Sequence, residues 1–350
     1  MSTATRIPLR RLHALAGEVL VAAGMPAQHA QWTADALVWA DAHGLPAHGV
    51  SSKLIQCVAR IRAGGTNPAP TVRVRHDAGA VQLLDADDAW GQVAGTDAML
   101  RALDLSAQHG VGLVWVRGAT SAAAMGYFAD LAAQRGCVGL AVTNGPALIA
   151  APQGTRRVVG NQGHALAAPG TDGERLLYDT ATTTMSTGEM DGYAERGEPL
   201  PPGVLRDAQG APTTDPSLWT VGLLEPIGGH RGFGLSLALE VLTGVLAGGE
   251  RFGADVGLPT RLEQTQGVSL FMLAIRPAPD VDLTQRIHRL LDEVRASGEG
   301  ARAPGERAVR LAAEAARDGV PYSSAQIHTL EELARACGID ASLRCSRPAR

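Results

Sequence analysis

A histidine in a short turn is the residue of this sequence best suited to acid–base chemistry. His48 follows a predicted helix, in the stretch Pro46-Ala47-His48-Gly49, where its imidazole could face a cleft. The ordinary pKa of imidazole lies close to neutral pH, so this group can both give and take a proton under working conditions. A surface or helix-capping histidine is the alternative, and the residues alone leave both interpretations open.

A glycine-rich stretch indicates an anion-binding loop. Gly228-Gly229-His230-Arg231-Gly232 opens a predicted helix. Glycines let backbone N–H groups approach a phosphate, and the positive end of the helix dipole favours a negative charge there. Arg231 would add a charged hydrogen bond. A tight loop before a buried helix explains the glycines equally well, but it does not explain Arg231.

Two further stretches carry little information on their own. Asp179-Thr180-Ala181 ends a predicted strand, and Pro304-Gly305-Glu306 has the composition of a common turn. From the residues alone, each would be interpreted as structural.

The elements that must position these groups alternate along the chain. Apolar residues at helical spacing predict helices at 9–19, 28–42, 50–63, 93–109, 121–134 and 232–246. Short apolar runs bounded by glycine and proline predict strands at 81–85, 111–116, 138–142, 176–179 and 268–275. Residues 197–216 are rich in Gly, Pro and Asp and predict a long exposed excursion, and two or three helices follow residue 275.

Helices at both ends and strands in the middle indicate a mixed α/β protein. We predict two domains, a helical one formed by residues 1–75 and 305–345 and a sheet-containing one formed by residues 76–304. Nowhere does Gly-x-Gly-x-x-Gly follow a predicted strand and open a helix. The sequence therefore gives no support for a Rossmann dinucleotide site.

Composition excludes several classes of protein. Apolar residues make up 45% of the chain, which is typical of a globular protein with a sizeable core. The charges are spread without a basic stripe, so we expect no nucleic-acid partner. There is no apolar run of the roughly 18 residues that cross a membrane, no signal-peptide core, and no Cys/His spacing typical of zinc. We therefore expect a cytoplasmic protein without a metal.

Several separated stretches resemble motifs of the malate/L-lactate dehydrogenase family, which includes ureidoglycolate and sulfolactate dehydrogenases and cyclic imino-acid reductases such as piperideine-2-carboxylate reductase. They keep the family's order and run over nearly the whole chain. The stretches are 41–50 (like D-x-R-G-x-x-S-H-G-V), 143–146 with 152–154 and 160–163, 179–183 (like D-x-A-T-S) with 212–216, 226–235 (like P-x-G-G-x-K-G-x-G-L) and 304–306.

The resemblance implies an α/β fold of the non-Rossmann type, with a helical domain from both termini around a largely antiparallel, cofactor-binding sheet domain. It implies homodimers that bind NAD or NADP and reduce 2-oxo acids or cyclic imines, with His48 as the acid/base. The residues it places at the substrate are Asn144, Gln162, His164 and Glu189. Those it places at the cofactor are Asp179, Thr180, Ala181, Gly229, His230, Arg231, Gly232, Pro304, Gly305 and Glu306.

The chain departs from the family pattern at positions expected to touch the substrate. Ser121 stands where some members have a histidine acid, and a serine cannot act as a general acid near neutral pH without help. Ser52 and Gln56 replace an arginine and a tyrosine, and Glu189 replaces a lysine. A lost cation and a new carboxylate would weaken binding of an anionic substrate.

Three hypotheses follow. The first is an NAD(P)-dependent oxidoreductase acting on a small 2-oxo or 2-hydroxy acid, a cyclic imine or a related metabolite. The second is a non-redox lyase, isomerase or hydrolase on the same scaffold, with His48 and Glu189 as acid and base. The third is a catalytically silent member of the family. Binding of NADH or NADPH distinguishes the first from the others.

Overall fold

The computed structural model describes residues 4–340 and 342–343. Its helices agree with the predicted positions except where stated below. In chain order they are α1 (Leu9–Ala22), α2 (Ala27–Ala42), α3 (Ile55–Ala63), α4 (Gly91–His109), α5 (Met125–Ala133), α6 (Thr187–Arg196), α7 (His230–Glu240), α8 (Leu283–Ala296), α9 (Glu306–Asp318) and α10 (Ser324–Ala336). Two π-helical turns, Val50–Leu54 and Val241–Val245, adjoin α3 and α7.

The strands include several short ones that the sequence did not indicate. In chain order they are β1 (Thr5–Ile7), β2 (Arg73–Asp77), β3 (Val81–Asp85), β4 (Val111–Ala119), β5 (Val138–Thr143), β6 (Ile149–Ala150), β7 (Arg157–Val159), β8 (His164–Pro169), β9 (Arg175–Thr180), β10 (Leu205–Arg206), β11 (Pro212–Thr213), β12 (Leu223–Leu224), β13 (Val268–Ile275) and β14 (Val320–Tyr322).

The main sheet has seven strands in the order β2-β3-β4-β13-β5-β8-β9. Its neighbours are antiparallel, except for the parallel pair β3 and β4. The predicted largely antiparallel sheet is therefore confirmed. β13 comes late in the chain and lies in the middle, between β4 and β5, where nearly all of its side chains are buried.

One core lies between this sheet and the helices α4 and α5. Alanines and glycines let the helices approach the strands closely: a side chain at Gly112 would lie 1.9 Å from the carbonyl oxygen of Ala102. The larger side chains of this core include Met99, Phe128 and Met272.

A second core combines both ends of the chain. Buried side chains of α1 and α2, such as Leu12 and Leu37, pack with Ile327 and Leu330 of α10. Trp90, from the sheet part, also belongs to it. We propose the division into domains 1–75 plus 305–345 and 76–304 on this basis; the end of the range 305–345 lies outside the described residues.

Two predicted elements differ from those in the structure, and one helix of the structure was not predicted. Residues 121–124 are a loop, and α5 begins only at Met125 because Ala123 has a left-handed φ of 61°. Residues 197–216 are not a fully exposed excursion: they contain β10 and β11, and Leu200 and Leu205 pack against Met190 of α6. The helix α6 itself was missed.

Candidate functional site

A buried carboxylate holds the turn that carries His48. Asp41, at the end of α2, accepts hydrogen bonds at one oxygen from the Val50 backbone N–H (2.9 Å) and from the Tyr322 hydroxyl (2.7 Å). Gly49 lies so close that a side chain there would come within 1.9 Å of the same carboxylate. Burial raises the pKa of Asp41 to about 6. The glycine after His48 is therefore required by packing against Asp41.

The imidazole of His48 is neutral at pH 7. It ends the 3₁₀ turn Pro46–His48, and its Nδ1 atom is buried without a hydrogen-bond partner among the described residues. Burial, and then the positive charge of Lys53, lower the pKa of His48 to about 4. A neutral imidazole has one nitrogen free to accept a proton and one N–H to donate.

Lys53 joins the site because of a π turn. In the turn Val50–Leu54 the helix is widened, and Ser52 is exposed while Lys53 is half-buried. The Lys53 ammonium donates to the Gln56 side-chain carbonyl at 2.9 Å, and burial lowers its pKa. The family pattern places an arginine at position 52, where this chain has Ser52, and it does not indicate the cation at position 53. One signal was present, because Lys53 is the only lysine of the chain.

The turn at His48 lies against the segment that follows β9. A side chain at Gly188, in the first turn of α6, would lie 2.9 Å from Cβ of Ala47. Glu189 is in the same turn, but its carboxylate accepts from the backbone and hydroxyl of Ser186, which caps α6. The structure thus gives Glu189 a local capping role. This weakens the non-redox hypothesis, which needs Glu189 as a partner of His48.

Thr182 brings three of the motifs together. Its backbone N–H and hydroxyl both donate to the Asn161 carbonyl, at 2.8 and 3.0 Å. Its own carbonyl accepts from Ile227 at 2.9 Å, and its hydroxyl accepts from Ser236 of α7 at 2.7 Å. The stretches 160–163, 179–183 and 226–235, far apart in sequence, therefore meet at one point.

The glycine loop before α7 has the features of an anion-binding loop. Gly228 and Gly229 have positive φ values of 60° and 61°, and the space beside Gly229 is open. Gly232 packs on the Ile227 carbonyl, where a side chain would come within 2.1 Å. His230 and Arg231 are exposed, and Arg231 makes no salt bridge with the described residues.

A buried glutamate that the sequence did not indicate binds two of the predicted substrate residues. Glu240 accepts from the side-chain amides of Asn144, at 3.1 Å, and of Gln162, and from the Gly253 backbone at 3.0 Å. Asn144 also accepts from the backbone of Ser269 at 2.8 Å. The Asn144 amide is thus occupied at both its nitrogen and its oxygen, whereas the Gln162 side-chain carbonyl is buried without a hydrogen-bond partner among the described residues. The role of these two residues at a substrate stays a prediction. Nothing in the pattern of α7 shows which of its residues face inward to Asn144.

His164 and Asp179 lie on the neighbouring strands β8 and β9, with their side chains on opposite faces of the sheet. His164 is nearly buried at the start of β8, its Nδ1 lies 3.0 Å from the Gln162 carbonyl, and its Cα is paired with that of Thr180. Burial raises the pKa of Asp179 to about 6, opposed by a hydrogen bond from the Gly126 backbone at the start of α5.

The remaining predicted residues have partners of their own. The Ser121 backbone donates to the Gln266 side chain at 3.1 Å. The Pro304 carbonyl accepts from Leu177 of β9, two residues before Asp179. Glu306, however, forms an ion pair with Arg295. Pro304 and Gly305 therefore adjoin β9, which ends with Asp179 and Thr180 and is followed by Ala181.

Comparisons with known proteins decide the family. The sequence model described as malate/L-lactate dehydrogenase matches residues 7–331. The chain belongs to this family. It is 31% identical to the malate dehydrogenase of Pyrococcus abyssi over 95% of each chain, and 35% identical to the NAD(+) ureidoglycolate dehydrogenase of Escherichia coli O157:H7 over 69% of each. The structure of the malate dehydrogenase of Pyrococcus horikoshii superposes with a TM-score of 0.87 at 29% identity, covering 97% of each chain.

Membership of the malate/L-lactate dehydrogenase family confirms the predicted fold and the predicted class of enzyme, a nicotinamide-dependent dehydrogenase or reductase. Among residues 4–340, 342 and 343, no helix is both long and apolar enough to cross a bilayer.

Proposed function

We propose that this enzyme transfers hydride between NAD or NADP and a small 2-oxo or 2-hydroxy acid or a cyclic imine, with His48 as the acid/base residue. The observation that carries the proposal is an imidazole and an ammonium in two consecutive turns, joined by the hydrogen bond of 2.9 Å from the Lys53 backbone N–H to the Gly49 carbonyl. Lys53 forms no ion pair with a carboxylate of the described residues. A half-buried cation without a counter-ion favours an anionic ligand, because desolvated charge is stabilised by an opposite charge.

A bound dihydronicotinamide would supply the hydride. His48 would hold the substrate oxygen or nitrogen by a hydrogen bond and release a proton to it as the charge develops. Lys53 would contribute positive charge beside it. The buried carboxylate of Asp41 keeps this turn in place through Val50 and Tyr322, so it acts on the position of His48 and not on the substrate.

The residues at α7 fit the phosphates of a dinucleotide. The open space beside Gly229 would admit a phosphate, and the helix start would stabilise its charge. The exposed guanidinium of Arg231 would donate to a phosphate oxygen. Thr180 is the last residue of β9 and Ala181 follows it, and the turn at 304–305 is bonded to the same strand. We propose that these two residues line the nicotinamide end with Asp179, Pro304 and Gly305.

Titration with NADH and NADPH tests this proposal. Saturable binding of NADH or NADPH, measured by fluorescence and thermal shift, supports the proposal. The nucleotide that binds more tightly is then the cofactor. Arg231→Ala should weaken binding by about tenfold or more, the worth of a charged hydrogen bond. Arg289→Ala, which removes a largely exposed arginine of α8, is the matched control and should bind like the wild type. No binding up to millimolar cofactor would refute the proposal.

We further propose that the enzyme is a homodimer. Leu237, Val241 and Val245 follow each other at intervals of four residues along α7 and its π turn, and they are 43%, 48% and 48% exposed. A row of large apolar side chains open to water is typical of a surface that is covered in the assembled protein. A second copy of this chain is the occupant that the family resemblance implies.

The cysteines support a cytoplasmic location. Cys57 and Cys137 are buried and not disulfide-bonded, and Cys337 is also free. Free thiols are typical of proteins kept in a reducing compartment. We therefore keep the cytoplasm as the proposed compartment; Cys345 lies outside the described residues.

A further inference from the structure

The chain has thirty arginines and one lysine, and the lysine lies beside His48. Everywhere else a positive charge is supplied by a guanidinium, which does not lose its proton in proteins, whereas an ammonium can. A site that needed only a positive charge would be served by arginine as well. The exception therefore indicates a chemical property that arginine lacks.

The geometry around Lys53 shows where its proton could go. The Nδ1 atom of His48 is buried without a hydrogen-bond partner among the described residues. Leaving such an atom unpaired is unfavourable, because the hydrogen bond it makes to water in the unfolded chain is not replaced. The Lys53 backbone N–H donates to the Gly49 carbonyl at 2.9 Å, which places Lys53 one helical turn after the residue next to His48. The Lys53 ammonium has three N–H donors, of which one is bonded to Gln56 and none to His48 Nδ1.

We propose that Lys53 acts through His48 as the source of the proton used in reduction. Its flexible side chain turns from Gln56 to His48 Nδ1 and passes the proton there, while the imidazole releases its Nε2 proton to the substrate. This inference rests on the proposed function.

The step balances. The substrate carbon gains the hydride, and its oxygen or nitrogen gains the proton from Nε2. The Lys53 ammonium loses one proton to Nδ1 and becomes an amine, so the imidazole stays neutral throughout and its N–H moves from Nε2 to Nδ1. Water then restores the proton on Lys53. In oxidation the same path runs backwards. The relay explains how a histidine that is neutral at pH 7 can supply a proton.

Other titratable groups around this turn have partners of their own. On α2, Asp41 accepts from Tyr322 of β14, and the ring of His43 lies 2.7 Å from the Trp39 carbonyl. On α6, Glu189 caps its helix. This leaves Lys53 as the group beside His48 that has a proton to give.

Nuclear magnetic resonance of the whole protein tests the pair without a substrate. A single lysine means that [ε-¹³C]lysine labelling gives one side-chain signal, which should titrate below the ordinary pKa of about 10.4. In ¹⁵N-histidine spectra, the signals of His48 are the ones that disappear in the variant His48→Asn. These signals should show that Nδ1 of His48 carries no proton at pH 7. Lys53→Met should raise the pKa of His48. A protonated Nδ1, or a lysine signal with an ordinary pKa, would overturn the proposal.

Kinetics with NADH or NADPH and a panel of 2-oxo acids and cyclic imines separate proton supply from charge. Lys53→Arg keeps the charge but should lower kcat at least about 100-fold, as expected for loss of acid catalysis, with a smaller change in KM. Added ethylamine should partly restore Lys53→Ala. If Lys53→Arg has the same kcat as the wild type, the proton relay is wrong, but the proposed function is not affected. Absence of cofactor binding in the wild type would instead refute the proposed function, and the resonance experiment would still decide whether Lys53 and His48 are coupled.

Discussion

The hydroxyl of Tyr322 donates a hydrogen bond of 2.7 Å to the carboxylate of Asp41, across 281 positions of the chain. The same carboxylate oxygen binds the backbone of Val50, two residues after His48. The C-terminal strand β14 thereby helps to hold the turn of the candidate active site, which is made of residues near the N-terminus.

Tyr322→Phe removes this bond and leaves a buried carboxylate with one donor fewer. We expect a loss of about 1–3 kcal/mol in the free energy of unfolding, since unpaired buried polar groups cost this much. Urea denaturation measures it. Tyr193→Phe, at a half-buried tyrosine of α6, serves as control and should change stability little. Equal stability of Tyr322→Phe and the wild type would show that the bond contributes nothing.

Asp41 should also give stability a specific pH dependence. Its pKa is raised from 3.8 to about 6 in the folded state, so the folded protein binds a proton more tightly than the unfolded chain. The contribution of Asp41 to stability is therefore lost as the pH rises from about 4 to about 6.

Comparison with Asp41→Asn isolates this contribution, because histidines with lowered pKa values act in the opposite direction. The measured quantity is the free energy of unfolding of Asp41→Asn minus that of the wild type. This difference should rise by an amount on the order of 2 kcal/mol as the pH rises from about 4 to about 6, and it should stay constant at higher pH. Denaturant titrations at a series of pH values measure the difference. A difference that does not vary with pH would contradict the burial of an ionisable carboxyl here.

Arg60 should be essential for stability although it has no carboxylate partner. It is fully buried and donates to the carbonyls of Gly65, Pro259, Arg261 and Gln264. Arg60→Met leaves these carbonyls unpaired and should cost at least about 3 kcal/mol. Thermal and urea unfolding measure the loss. Arg62→Met, two residues away and exposed, is the control and should lose less than about 1 kcal/mol.

His48→Gln should lower kcat about 100-fold or more while cofactor affinity stays close to that of the wild type. A glutamine keeps hydrogen bonding but cannot relay a proton. Steady-state kinetics and NADH titration on the same preparation measure the two quantities. Loss of both together would indicate a structural role for His48.

Val241→Asp should convert a homodimer to a monomer, because a charge is placed in the middle of the apolar row on α7. Sedimentation velocity distinguishes the two states. Leu290→Asp, at an equally exposed leucine of α8, should leave the assembly unchanged. If both variants keep the wild-type state, this row is not the interface.

Strong periodicity was enough to predict the long elements, such as α1, α2 and β13. Helix α6 was missed because it buries only Met190. Its Ser186 and Glu189 form a capping box, a sequence signal of a helix start that was interpreted only as a changed charge. The π turn at Val50–Leu54 was beyond prediction, since spacing assumes 3.6 residues per turn. The family pattern has its cation at position 52, so it gave no signal for Lys53, one residue later.

The central place of β13 has a consequence for how the protein folds. Strands β4 and β5 pair with β13 and not with each other, although β5 follows β4 in the chain after only one helix. Until residue 275 is available, both carry an open edge of unpaired N–H and C=O groups, which invites pairing with other chains. Closing the sheet requires contacts far apart in sequence, and such contacts form slowly. A nascent or truncated chain ending before β13 is therefore the form of this protein most exposed to aggregation.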